Sequence, residues 1–289
     1  MSRHTFILSH MSHSIRSTAI RSDRDDVYLQ IIFDRLNICR SYKPKFGKGG
    51  EGLDYQAFRH LYGGDVFYSW FGLDHTLMYS AHKVAGGITS VYRQIGFSSE
   101  ELIRQILQDE LGLTNLQSTW SYQTETSSGR KRTLKLDGRI APREVQDNER
   151  RGIILDWMKR ASTKLSLNHE IAKGMQGLVL EVRQGYKSKD SKRQNADMAN
   201  AAAAYTQGYI PVLIVMSSQI DDDIVERYER GKWLVLRGYM QSDALMSTFQ
   251  FMREIIGYDL AAFFERNATV LRDFTHSVLE SLLTATENG

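Results

Sequence analysis

The chain has little of what staples or stiffens a small protein, with one cysteine and three prolines in 289 residues. A lone cysteine, Cys39, excludes an intramolecular disulfide framework and suits a reducing compartment. It lies within an apolar helical pattern, which predicts a core position rather than a nucleophile. Apolar runs of membrane-spanning length are lacking. Near the start of the chain only residues 6–8 form an apolar patch, too short for the core of a secretion signal. These absences predict a cytoplasmic protein with no membrane partner. The eight histidines show no HExxH-like spacing, and there is no GxxxxGK[ST] phosphate loop. Charge of one sign is scarce too, because acids and bases nearly cancel at a formal +3.

What is present is the make-up of a folded protein, 42% hydrophobic and 25% charged, with enough chain to bury one large core or two small ones. The bases are unevenly placed. Residues 183–193, RQGYKSKDSKR, hold five bases against one acid, and Arg130, Lys131 and Arg132 form a smaller group. Local basic clusters on a near-neutral chain point to one face that meets a polyanion, although a solvated loop would look the same.

Residues 1–97 are aromatic and punctuated by glycine. The acid-rich run 22–26 predicts a helix through 26–40, and YKPKFGKGGEG (42–52) predicts a loop. From residue 98 the pattern sharpens. Ser98 reads as the N-cap of a helix, SSEELIRQILQDELGL, with early acids that favour the helix dipole. STWSYQTE (118–125) and RTLKLDGRI (132–140) alternate as half-buried strands and predict a hairpin. A helix is expected over 143–162, a buried strand over 177–184, and an alanine-rich helix over 191–208. Further strands are expected over 210–218 and 232–238, and helices after that.

Two acids stand out. Asp137, in LDG, and Glu181, in EVR, lie 44 positions apart on strands expected to be neighbours. Alternation puts Glu181 and Arg183 on one face of their strand. Hydrolysing a phosphodiester near neutral pH requires activated water and neutralisation of a pentavalent transition state. Two carboxylates that hold Mg2+ serve both needs. Blander accounts exist, since Asp-Gly is a common turn dipeptide and Glu181 could simply pair with Arg183 or Lys135. Asp109 and Glu110 offer a third acid, although an exposed helix face explains them as well.

The layout over residues 98–218 resembles the PD-(D/E)xK nuclease superfamily, which includes most type II restriction endonucleases. The resemblance implies an α/β fold: an αβββαβ restriction-endonuclease-like core with a mixed sheet flanked by helices, plus helical N- and C-terminal parts. Asp137 matches the family aspartate and Glu181 the acid of (D/E)-x-K. Leu136 stands where the family often has proline. Arg183 occupies the lysine position, and an arginine can orient water or a phosphate oxygen but cannot act as a base. Lys187 and Lys135 are the other candidates for that role.

The implied organisation is a helical N-terminal region (1–97) that contacts DNA or dimerises, a nuclease core (98–240) and C-terminal helices packed on it (241–289). The implied activity is Mg2+-dependent, sequence-specific cleavage of double-stranded DNA by a homodimer. A cognate DNA methyltransferase acting on the same site is the partner such an enzyme implies. The loop after the Glu181 strand suits base reading through Lys187, Ser188, Lys189, Asp190, Lys192, Arg193, Gln194 and Asn195, which combine phosphate-binding cations with groups that match base edges. A solvent-exposed helix start capped by Asp190 or Ser191 accounts for the same letters. Three other functions stay open: a structure-specific repair or recombination nuclease on the same core, a DNA-binding protein that has lost cleavage, and an unrelated α/β protein with a chance motif.

Overall fold

The Asp137 segment departs from the simple hairpin expected of it, and the departure organises the fold. The structure, a computed structural model, describes residues 23–46, 50–125, 131–186 and 191–283. Its main helices are α1 (Asp23–Asn37), α2 (Tyr55–Gly63), α3 (Thr76–Leu111), α4 (Asn148–Lys164), α5 (Ser191–Thr206), α6 (Asp222–Arg230) and α7 (Ala268–Leu283). The strands are β1 (Trp120–Glu125), β2 (Lys131–Leu136), β3 (Gly138–Ile140), β4 (Gly177–Arg183), β5 (Tyr209–Val215) and β6 (Leu234–Leu236). The chain is therefore mixed α/β.

The expected strand 132–140 is two strands. β2 pairs antiparallel with β1, Trp120 opposite Leu136, whereas β3 pairs antiparallel with β4, Gly138 opposite Leu180. Asp137 is the hinge residue between the two sheets, and its N–H donates to the Leu180 carbonyl at 2.9 Å. Gly138 sits in tight packing rather than at a turn: a Cβ there would come within 3.2 Å of Leu180 and 3.3 Å of Leu107, so those side chains would have to give by a few tenths of an ångström.

β4, β5 and β6 run parallel in the order β3-β4-β5-β6. All seven residues of β4 and all seven of β5 are buried, as expected of strands covered on both faces and rich in Val, Leu and Ile. On one face Val179 and Leu213 join Ala201 and Ala204 of α5, together with Trp120, Trp233 and Tyr228. Small side chains on α5 let that helix lie close to the sheet. The last turns of α3 bury Leu102, Ile103, Ile106, Leu107 and Leu111, an i, i+3/i+4 stripe.

The helix expected to begin at Ser98 is overturned in its start. α3 is one unbroken helix of 36 residues, and Ser98 sits inside it with its hydroxyl donating to the Ile95 carbonyl at 2.9 Å. Gly86 and Gly87 lie within this helix. Side chains there would collide with Tyr42 and Leu282, so the glycines serve close packing.

The chain divides into two compact units, Met1–Ser98 with Phe263–Gly289, and Ser99–Ala262. The stretch from 241 onward, one region in the sequence, is thus shared between them. In the first unit Asp25 of α1 is fully buried and accepts from Arg266 at 3.0 and 3.1 Å and from Asn267 at 3.1 Å. Phe33 stacks on Phe274 at 4.2 Å. Phe46, Phe58 and Tyr79 form an aromatic core, and Cys39 is buried with its sulfur 3.6 Å from the Ser90 hydroxyl. Among the described residues no helix is long and apolar enough to cross a membrane.

Candidate functional site

The second unit holds both acids singled out in the sequence. Asp137 leaves the end of β2, and its carboxylate turns onto the neighbouring strand, where Oδ2 accepts from the Val182 N–H at 2.8 Å. Its own carbonyl accepts from Arg104 Nε of α3 at 3.0 Å. Glu181 is the residue before Val182, so the two carboxylates come from adjacent strands at the point where β2 gives way to β3.

Alternation along β4 puts Val179, Glu181 and Arg183 on the face that α5 covers, with Leu178, Leu180 and Val182 opposite. Glu181 and Arg183 form a close ion pair, each only 6–8% exposed. The same guanidinium reaches across to α5, where Nη2 lies 3.4 Å from both carboxylate oxygens of Asp197. Nη1 donates to the Val182 carbonyl at 3.4 Å, and Nε is buried with no hydrogen-bond partner among the described residues.

Asp197 is itself buried and is held by two phenols. Tyr228 of α6 donates to its Oδ2 at 2.5 Å, and the Tyr186 hydroxyl lies 3.5 Å from the same oxygen and 2.5 Å from that of Tyr228. Tyr228 commits its single proton to Asp197, so the Tyr186 hydroxyl is the donor to the Tyr228 oxygen.

The electrostatics follow from this crowding. Burial drives the Glu181 carboxyl well above the usual range. Arg183 opposes that shift, while Asp137, Asp197 and Glu100 of α3 add to it. Burial works against the Arg183 charge, but Glu181, Asp197 and Asp137 together hold that group above its ordinary value. Burial, then Asp197, pushes the Tyr228 phenol up as well, so it stays a donor. Three carboxylates thus act on one buried guanidinium.

The other sequence candidates fall differently. Lys187, Ser188, Lys189 and Asp190 lie outside the described residues, as do the side chains of Lys192 and Arg193 in the first turn of α5. Gln194 is buried and Asn195 exposed. Arg227 of α6 donates to both, at 2.8 Å to Gln194 Oε1 and 2.6 Å to Asn195 Oδ1. Lys135 is exposed on β2. Asp109 is exposed and accepts from Gln105 at 2.9 Å. The acid of α3 whose field reaches Glu181 is instead Glu100, which lies inside that helix rather than at its start, because α3 begins at Thr76.

Asp197, Tyr186 and Tyr228 were not singled out from sequence. One signal was available: Asp197, Ala201 and Ala204 fall at i, i+4 and i+7, so an acid occupies the buried stripe of an alanine-rich helix.

Comparison with protein-family models, with curated proteins and with solved structures finds no match in any of the three.

Proposed function

We propose that the chain is a Mg2+-dependent nuclease of the PD-(D/E)xK kind, and more narrowly a type II restriction endonuclease that hydrolyses phosphodiester bonds in double-stranded DNA. The observation that carries this reading is the Val182–Asp137 hydrogen bond, which fastens one acid beside the other although 44 positions separate them. The order helix, β1, β2/β3, β4, α5, β5 supports it too, since the four-stranded sheet is mixed, Asp137 immediately precedes its first strand β3, and Glu181 lies on the neighbouring strand β4.

Asp137 and Glu181 would hold the cation. Among the described residues no three His, Cys, Asp or Glu side chains gather as a ready metal cluster. Mg2+ fits such a site nonetheless, because it is commonly held by one or two carboxylates, with water and substrate phosphate completing the octahedron. The donor set also suits it: burial first, and then the field of Asp137, Asp197 and Glu100, makes Glu181 hold a proton tightly, and that field of acids also attracts a divalent cation. When bound, the ion supplies Lewis acidity that activates water and offsets charge developing on the phosphate. Arg183, always charged, orients a phosphate oxygen or the attacking water through its N–H groups and takes no proton.

A homodimer would match a palindromic site, and a methyltransferase of the same specificity would protect the host DNA. Incubation of a plasmid with the protein and Mg2+ tests this. Discrete fragments support a restriction enzyme, a smear supports a nuclease without sequence specificity, and uncut plasmid in both Mg2+ and Mn2+ contradicts cleavage.

A second reading has its own observation. Arg183 stands in the lysine position and is paired with Glu181, a contact that favours a DNA-binding protein in which cleavage has been lost. DNA retention in a gel-shift assay, with no cutting in either metal, is the result expected of it.

A further inference from the structure

Arg183 is shared between two carboxylates, and only one of them belongs to the proposed metal pair. We propose that Asp197 is a positioning residue: it is the seat that takes over the Arg183 guanidinium when a divalent cation engages Glu181. This rests on the metal-centre reading above and adds to it how the arginine and the cation are accommodated at one carboxylate.

Geometry makes the exchange short. Nη2 of Arg183 already contacts Glu181 and lies 3.4 Å from each oxygen of Asp197, so a slight rotation of the guanidinium moves the ion pair from strand to helix. A cation arriving at Glu181 would otherwise face a fixed positive charge at contact distance, in a site from which water is largely excluded. Breaking the Glu181 pair without a second acceptor would leave a buried guanidinium uncompensated, which is strongly unfavourable. Asp197 removes that obstacle. It is 3% exposed, and its Oδ2 is fixed by the Tyr228 hydroxyl at 2.5 Å, with Tyr186 bonded in turn to Tyr228. Tyr228, itself accepting from Tyr186, keeps the carboxylate in place, and Oδ1 already faces Arg183 Nη2 at 3.4 Å, so that both oxygens lie within reach of a closer approach. Among the described residues no acceptor meets the Nε of Arg183, so its present pose there does not satisfy all its donors.

Tyr228 thus positions Asp197, Asp197 positions Arg183, and neither needs to touch substrate. The consequence is a coupling: the effect of Asp197 on cation affinity depends on Arg183.

The test is calorimetric titration of the full chain with Ca2+ alone, for the wild type, Asp197→Asn, Arg183→Gln and the double variant, each checked for folding by circular dichroism. Asp197→Asn is expected to lower Ca2+ affinity tenfold or more when Arg183 is present, and by less than threefold in the Arg183→Gln background. A long-range field from Asp197 would lower affinity by the same factor in both backgrounds, and equal factors overturn the proposal. Should Asp197→Asn alone fail to fold, the other two variants decide. Affinities within threefold of each other support the seat, and a larger fall in the double variant overturns it. A wild type that binds no Ca2+ overturns both this proposal and the metal centre. A wild type that binds it while the cycle shows no coupling overturns this proposal alone.

Discussion

The backbone N–H of Val182 donates to the carboxylate of Asp137 at 2.8 Å, tying the hinge between two sheets to the strand that carries Glu181. Structure and chemistry can be separated at this bond. Asp137→Asn keeps an oxygen for Val182 and should fold with nearly wild-type stability, while cation binding and cleavage fall at least a hundredfold. Asp137→Ala leaves the N–H without that acceptor and should cost about 1–3 kcal/mol in addition. Denaturant unfolding beside cleavage assays checks both. A fully active Asp137→Asn protein would remove Asp137 from the chemistry.

The Glu181–Arg183 pair is buried, so removing one member is expected to be worse than removing both. Arg183→Met strands Glu181 and should destabilise by about 3–5 kcal/mol near neutral pH. Glu181→Leu with Arg183→Met leaves no unpaired charge between positions 181 and 183 and should recover a large part of that loss. Equal destabilisation of the single and double variants in urea would show that the pair contributes no more than its packing.

Gly138 lies where β3 meets α3. Its replacement by valine pushes side-chain atoms toward Leu180 and Leu107, already 3.2 and 3.3 Å from a Cβ. A cost of about 1–3 kcal/mol is expected from overpacking. Because Asp137 is the adjacent residue, activity should drop further than stability alone explains. Activity measured well below the melting temperature separates the two effects.

Alkaline pH should weaken the second unit. The phenols of Tyr228 and Tyr205 are both held above their ordinary value of 10.0, each by burial first. In the unfolded chain they ionise near that value, whereas in the folded chain they stay protonated. The folded state therefore binds more protons as pH rises past about 10, and stability falls. Below that pH the contribution is fully present. Tyr228→Phe should flatten the decline between pH 9 and 11 in urea melts, and an unchanged slope would place the cause elsewhere.

How much of this the letters revealed depends on what each signal measures. GLVLEVR and PVLIV announced buried strands because continuous apolar runs have few other homes, and a charged pair inside one run marked a candidate site. The hinge at Asp137 was not legible, since alternation continues through LKLDGRI and nothing local says that its two halves pair in different sheets. Ser98 misled because serine followed by two acids is a good helix start, yet propensity yields when the preceding turns already pack as helix. Asp197 and Tyr228 escaped because their importance is tertiary: they matter only once α5 brings Asp197 against Arg183 and α6 brings Tyr228 against Asp197. Gln194 and Asn195 were read as base contacts from their amides. In the fold their oxygens face Arg227, a relationship across 32 and 33 positions that no local pattern encodes.

On the proposed function, Asp137 and Glu181 form a metal centre that cuts DNA. The most direct measurement incubates a long, mixed-sequence double-stranded DNA with equal amounts of wild-type and Glu181→Ala protein, in Mg2+ and in EDTA, and resolves the products on a gel. Cleavage by the wild type in Mg2+ alone, with none by Glu181→Ala under any condition, is the expected result. Cutting by Glu181→Ala at the wild-type rate, or cutting that persists in EDTA, would contradict it.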